Sequence, residues 1–441
     1  MTPARGQNAM LGDGSAPGEH GARSRPAPAW LAAYGALYAL GAPFLLPLLA
    51  LHPRLRGGFL DRLGGRRVPH PPRPAERPVW FHGASAGDVR ALSALVRELQ
   101  AQGWPTLVSA GTRAGHEIAR AEFPGTTTRR APLDFAPCVR RALRGVQPRL
   151  LVLECLEVWP SWMRACEDEG VPVAVVNGRL SVASFRRYRW ARPLFAPCFR
   201  SLKLVGALTE EDAERFVALG TRPEVVFVEG SSKHASLHLA SAPPREDDPP
   251  VLVLGSVHRE EEALLFPQLR SLFAACPRLR LVVAPRYPHR APSTVRALRR
   301  AGLRAELESS VASRGGESPL AACALVLDRM GTLPRYYQGA RAAFVGGSLV
   351  PRGGHNVLEP AAAGAAVLTG PHTAHCAREL EALVAAGAAQ SLARPEEFGD
   401  RAARWLGDLG ARVRAEAAQR TVLSFQGAAL RTARRLEELL S

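Results

Sequence analysis

Short, unbroken apolar runs spaced one helix apart limit most strongly how this chain can fold. In the first half they read PVWFHGA (78–84), PTLVSAG (105–111), LLVLE (150–154), VPVAVVN (171–177), LVGALT (204–209) and VVFVEG (225–230). Amphipathic stretches such as GDVRALSALVRELQAQ (87–102) and EEDAERFVALG (210–220) lie between them. A strand covered on both faces needs no polar alternation, and parallel neighbours need a long crossover. Strand alternating with helix predicts an α/β fold with doubly wound parallel sheets. The pattern pauses at HLASAPPREDDPP (238–250), a linker by composition, and restarts with VLVLGS (251–256), RLVVAPR (280–286), CALVLD (323–328), AAFVGGS (342–348) and AAVLTGP (365–371). Two Rossmann-like domains facing across a cleft follow, with ligands expected at the carboxyl ends of the strands.

Composition narrows the partners. The 441 residues exceed one usual core. A net charge of +17, almost all from arginine, suits nucleic acid, an anionic membrane face or a phosphorylated substrate. Aromatic residues make up only 6 %, and no nucleic-acid motif is present, so no nucleic-acid partner is expected. The seven cysteines are scattered without a C-x-x-C pair, which reads as reduced thiols rather than a zinc site.

The first 28 residues have the composition of a disordered tail. They lead into WLAAYGALYALGAPFLLPLLAL, Trp30–Leu51, which carries no charge and is just long enough to cross a bilayer, although Pro43 and Pro47 weaken it as a helix. Arg54, Arg56, Arg62, Arg66 and Arg67 crowd its C-terminal flank, which predicts a membrane anchor with the body of the protein on the cytoplasmic side. Spanning the bilayer and lying in its interface both fit, and a buried core helix is the plain alternative.

The stretch FVGGSLVPRGGHNVLEP (344–360) joins an apolar run to an alanine-rich one through a bend rich in glycine. Such a bend brings backbone amides close to a ligand, and a helix starting near Val357 would add a positive dipole end, together an anion seat. A tight β–α turn reads equally well from this stretch alone. The stretch has company, however: VWFHGASAGDVRAL, NGRLSVASFRRYR, GSVHREEE, APRYPHR, DRMGTL and GGHNVLEP…GPHT follow in order. With these blocks the chain resembles the 3-deoxy-D-manno-octulosonic acid (Kdo) transferase family of lipopolysaccharide synthesis, over nearly its whole length.

That resemblance implies a GT-B fold and a membrane-associated enzyme at the cytoplasmic face of the inner membrane. It implies transfer of Kdo from CMP-Kdo to a lipid A precursor, a tetraacyl disaccharide 1,4'-bisphosphate, by inverting displacement without a metal or other cofactor. The domains would be a tail (1–28), an anchor (29–52), an acceptor domain (53–240), a linker (241–250), a donor domain (251–420) and a final helix (421–441). Asp88 stands where the family has its catalytic Glu and would be the general base, with Ser85 beside it; a helix-start carboxylate is its plain reading. Donor contacts would come from Pro285, Arg286, Met330, Gly331, Gly353, Gly354, His355, Asn356, Glu359, Ser256 and His258. Arg179, Ser181 and Ser184 would line the acceptor side, although helix capping accounts for the serines as well. Lys233 and Glu157 are further matches. Departures from the family pattern include Asp88 itself, Cys155, Ala235, Val257, Arg259, Tyr287, Thr332 and His375. Another GT-B enzyme, a different transferase or a UDP-sugar epimerase, is one alternative; a basic, membrane-tethered binding protein without catalysis is the other.

Overall fold

The computed structural model describes residues 33–41, 58–65, 73, 76–237, 239–240, 248–313, 323–408 and 410–441. Two seven-stranded sheets, parallel throughout, dominate it. The first contains β1 (Val79–Gly83), β2 (Thr106–Ala110), β3 (Thr127–Arg130), β4 (Leu150–Glu154), β5 (Val173–Gly178), β6 (Leu204–Ala207) and β7 (Val226–Val228), in the order β3-β2-β1-β4-β5-β6-β7. The second contains β8 (Val251–Val257), β9 (Arg280–Pro285), β10 (Arg304–Leu307), β11 (Cys323–Val326), β12 (Ala342–Val345), β13 (Ala366–Thr369) and β14 (Ala389–Ser391), in the order β10-β11-β9-β8-β12-β13-β14. Each sheet reverses direction at its first strand, so β1 and β8 sit centrally and their carboxyl ends open at a switch point.

Every apolar run read as a strand is one, and three strands escaped that reading. These are β3 (TTRR), β10 (RAEL) and β14 (AQS), each at the edge of its sheet. An edge strand has a partner on one side only and tolerates polar residues that a central strand cannot bury. The central strands β1, β4 and β5 are buried at every position, and their side chains fill a separate core on each face of the sheet.

The expected final helix over 421–441 starts earlier, at Ala411, and runs to Glu438. It belongs to both halves. Ala418 and Val422 pack with Val357 and Leu358 of the second half, whereas Ala429, Ala433 and Leu436 join the core of the first half beside Val79 and Leu95. Glu229, buried after β7, pairs with Arg431 and Arg435 of this helix and fastens the far end. Arg378, at the start of the helix after β13, donates to the Leu208 carbonyl after β6 at 2.6 Å. Both groups lie just beyond carboxyl strand ends, so the two carboxyl edges face each other across one cleft.

Of the anchor expected over 29–52, residues 33–41 are described. They form a helix whose Tyr34 hydroxyl donates to Asp134 at 2.6 Å and whose Tyr38 ring stacks on Phe135. Leu37 and Leu40 point away from the protein, 71 % and 74 % exposed. No helix among the described residues is long and apolar enough to cross a membrane. The expected tail (1–28) and most of the expected linker lie outside the described residues.

Removing both Arg431 and Arg435 by alanine substitution would leave the Glu229 carboxylate buried without a counter-charge. Such a loss typically costs about 3–5 kcal/mol. The double variant should unfold at clearly lower urea concentration than the wild type, and an unchanged midpoint would show that this clasp contributes nothing.

Candidate active site

The first wall of the cleft is built from the carboxyl ends of β1, β4 and β5. After β1 the chain turns into the helix Ala86–Ala101, whose N-cap is Ser85. Its hydroxyl accepts from the Asp88 amide at 3.4 Å, while Asp88 Oδ2 accepts from the Ser85 amide at 2.9 Å and its hydroxyl at 2.8 Å. This reciprocal capping box fixes the Asp88 side chain at the mouth of the cleft. Asp88 lies close enough to Glu154, Cys155 and Glu157 for its charge to add to burial in disfavouring their ionisation.

Glu154 ends β4 and is 1 % exposed. Burial pushes its carboxyl up to about 8, against the opposing pull of Asn177 and Lys233. Asn177 Nδ2 donates to Glu154 Oε2 and to Ser232 Oγ, each at 2.8 Å, and Ser232 Oγ donates to the Ala91 carbonyl at 2.9 Å. This chain ties the ends of β4 and β5 to the Asp88 helix and to the segment beside Lys233. Glu157 accepts from Trp159 Nε1 at 2.7 Å, and burial raises its carboxyl as well.

Cys155 (φ 63°), Asn177 (φ 50°) and, across the cleft, Ser256 (φ 55°) hold left-handed backbone conformations. L-residues rarely adopt them, and their concentration at strand ends is typical of functional sites.

The opposite wall comes from β8, β9 and the loop after β12. Here the glycine stretch behaves differently from expectation. The Gly347, Ser348 and Leu349 amides all point at an anion, but that anion is the protein's own Glu261. Its Oε2 accepts from Gly347 at 2.8 Å and from the His258 amide at 2.9 Å; its Oε1 accepts from Ser348 and Leu349, each at 3.0 Å. The Gly354 and His355 amides are also used internally, by the carbonyls of Gly347 and Gly346. The helix after the bend, Leu358–Ala362, is a single turn, too short for the dipole end expected there. The bend is therefore braced from within at these amides, and polar side chains gather beside it.

Those side chains converge. His258 Nε2 and His355 Nε2 lie 3.1 Å apart. Burial, then the charges of Arg286, His258 and His375, push the His355 imidazole down to about 4. Burial lowers His258 too, with Arg352 and Arg286 adding to the effect. Arg286 follows β9, its amide donating to the Val257 carbonyl at 2.8 Å and its guanidinium 5.4 Å from the Tyr287 ring centroid. It pairs with no acid among the described residues. A Cβ on Gly353 (φ 84°) would fall on the His375 ring, so only glycine fits there. Asn356 donates to Glu359 Oε1 at 3.1 Å, and burial raises the Glu359 carboxyl.

Other expected residues sit less centrally. Pro285 ends β9 inside the sheet, and Met330 is 75 % exposed beside Gly331 on the loop beyond β11. Ser181 caps the helix Val182–Trp190, accepting from the Ser184 amide at 3.1 Å, and Arg187 donates to Ser184 Oγ, so these serines do the capping that their positions also allowed. Arg179 is exposed at the same helix start, and Lys233 is exposed near Glu154. Three structural residues were missed: Glu154, Asn177 and Glu261. Of these Glu261 had a legible signal, the capping-box spacing from His258.

A family model for 3-deoxy-D-manno-octulosonic-acid transferase (kdotransferase) matches residues 58–236. The 3-deoxy-D-manno-octulosonic acid transferase of Bordetella pertussis is 32 % identical over 428 residues, 92 % of this chain and 99 % of that protein. The chain belongs to the Kdo transferase family. The same enzyme from Haemophilus influenzae is 30 % identical over 364 residues, 78 % of this chain and 83 % of that one. In fold alone, a glycosyltransferase from Rickettsia africae superimposes with a TM-score of 0.56 at 11 % identity, covering 83 % of this chain and 99 % of that one. As a family member the protein is a glycosyltransferase of GT-B-like architecture.

The buried Glu154 gives a pH signature. The folded protein keeps its proton up to about pH 8, whereas an unperturbed carboxyl at 4.5 has already lost it. Between those values the native state binds more protons, so this group costs stability as pH rises. Glu154→Gln mimics the protonated acid and should gain stability relative to wild type from pH 5 to pH 8.5 in urea titrations. A constant difference would show that Glu154 is ionised in the fold.

Proposed function

We propose that the protein transfers Kdo from CMP-Kdo to a hydroxyl of a lipid A precursor by a single inverting displacement, with Asp88 as general base. The observation that carries this reading is a carboxylate and a guanidinium on opposite walls of the cleft: Asp88 held in its capping box, and Arg286 without an acid partner among the described residues, beside His258 and His355. The acceptor hydroxyl gives its proton to Asp88 as its oxygen attacks the anomeric carbon. The bond from that carbon to the phosphate oxygen breaks on the opposite side, and CMP leaves with the electron pair. Arg286 meets the charge growing on the phosphate, with a planar fork suited to two of its oxygens. In the neutral His258–His355 pair one Nε2–H donates to the other Nε2, which leaves one ring N–H for the phosphate, and a bound dianion favours protonation of the pair. No step in this scheme calls on a metal.

Asp88 is a shorter acid than the family's usual Glu, and its oxygen is shared with the Ser85 cap. The acceptor hydroxyl would therefore approach closer to the start of the helix. We assign the protein to the cytoplasmic face of the inner membrane, where the apolar segment 29–52 and the basic residues after it would hold it against anionic lipid.

Incubation with CMP-Kdo and the lipid, with products weighed by mass spectrometry, tests donor and acceptor together; free CMP without a Kdo-lipid product would discard the acceptor. Asp88→Ala should lower turnover by about a hundredfold or more, the usual scale for a general base, with donor binding unchanged. Arg286→Ala should instead weaken donor binding. Equal turnover in Asp88→Ala and wild type would remove Asp88 from the chemistry. Deleting residues 1–52 should release the protein from membranes in a flotation assay.

A further inference from the structure

The two domains also touch directly, through two adjacent side chains. Arg378 and Glu379 lie in the first turn of the helix Ala377–Ala385, which follows β13 in the second domain. Arg378 donates to the Leu208 carbonyl, as described above. Glu379 Oε1 lies 3.1 Å from Nε2 of His234, in the 3-10 turn Ser232–Ser236 of the first domain. A carboxylate can only accept, so the ring nitrogen carries the proton of this bond. The His234 and Glu379 side chains are 13 % and 20 % exposed, so water and salt screen them less than a pair on the open surface. Burial disfavours the charged Glu379 carboxyl, but the His234 hydrogen bond, its own amide and the charges of His234 and Arg378 bring it below its ordinary value. The His234 ring meets Phe425 of the final helix edge-on, centroids 6.1 Å apart, and the Arg378 guanidinium lies 5.9 Å from the same ring.

Each end of this contact is built into one wall of the cleft. Two residues before His234, Ser232 bonds to Asn177 and to the Ala91 carbonyl on the Asp88 helix. On the other side, the His375 amide, four residues before Glu379, donates to the Gly353 carbonyl at 2.8 Å. Next to it, Cys376 Sγ lies 3.0 Å from where a Cβ on Gly354 would stand. The contact lies beyond β6 and β13, three strands from β1 in one sheet and three from β9 in the other. At ~4.8 Å per strand, Asp88 and Arg286 are each about 14 Å along a lever from it. Domains joined by a modest interface move relative to each other by default. A rotation of about 4° about this contact shifts Asp88 relative to Arg286 by about 1 Å, a misplacement that can slow an aligned displacement about a hundredfold.

We propose that His234 and Glu379 are positioning residues, whose hydrogen-bonded pair is an interdomain latch that sets the angle at which the two walls of the cleft meet. Each wall is rigid by itself, the first through Asn177 and Ser232 and the second through Glu261, so the angle between them is the freedom left to fix. That the groups aligned in this way are Asp88 and Arg286 rests on the function proposed above; the latch itself rests on the contact between the domains.

The test compares the full wild-type chain with His234→Ala, Glu379→Ala, the double variant and His234→Gln, which keeps an N–H near the place of the ring's Nε2. In the first arm, Val182 and Met330, exposed residues of the first and second domains, are replaced by a spin-labelled unnatural amino acid, so that the seven native cysteines stay in place. The distance between the labels should form one narrow distribution in wild type and in His234→Gln, and should broaden in both alanine variants. In the second arm, turnover should fall about ten- to hundredfold in either alanine variant and no further in the double. KM for CMP-Kdo and for the lipid should stay unchanged, because each substrate binds its own wall. Wild-type distances in both alanine variants overturn the proposal. Additive losses in the double variant, or a raised KM with kcat unchanged, mark a local structural role and overturn it too. If the wild type transfers no Kdo, the functional reading fails while the distance measurement still decides the latch.

Discussion

The buried carboxylate of Glu261, accepting from four backbone amides, holds together the wall of the cleft built from β8, β9 and the loop after β12. Three of its hydrogen bonds come from the glycine bend and one, through His258, from the end of β8; the carboxylate itself belongs to the helix Arg259–Ala275. It thereby welds a flexible, glycine-rich turn to a rigid helix. The bend can then carry His355 and pack against His375 without relying on a ligand for its shape. Close backbone approach adds to this, because a Cβ on Gly346 would fall on the Ser256 carbonyl. A site whose frame is assembled before substrate arrives pays less entropy on binding.

With that wall braced, the cleft keeps an acid and a base apart. Asp88 lies where β4 and its helix meet, and Arg286 lies where β8 and β9 end, beside two imidazoles that burial keeps neutral. A displacement needs both, a proton acceptor for the nucleophile and a positive field for the leaving phosphate. Placing them on different domains keeps them from neutralising each other as an ion pair. The final helix, shared between both cores and clasped by Glu229, limits how far the walls can move apart.

Much of this was legible in the chain. Central strands are buried on both faces, so β1, β4, β5, β8 and β12 had to be written as continuous apolar runs, and each was found. Edge strands carry no such requirement, and TTRR, RAEL and AQS look like loops until a neighbour pairs with them. The motif blocks led to the family and to Asp88, Arg286 and His355. What the sequence hid is that Gly347–Leu349 already hold a carboxylate, because a string of amides looks the same whether it awaits a phosphate or binds a side chain from 86 residues upstream.

The sequence by itself determined the two parallel sheets, their winding and the family, since all of these rest on local pattern: hydrophobic period, crossover length and short motifs. Tertiary structure alone decided which polar groups meet. Glu154 finds Asn177, Glu261 fills the bend, and Arg62 reaches the Gly111 carbonyl, although none of these partners is a neighbour along the chain. Hydrogen bonds and charges act over a few ångströms of space. Only the fold sets those distances, so they could not be read from the order of residues.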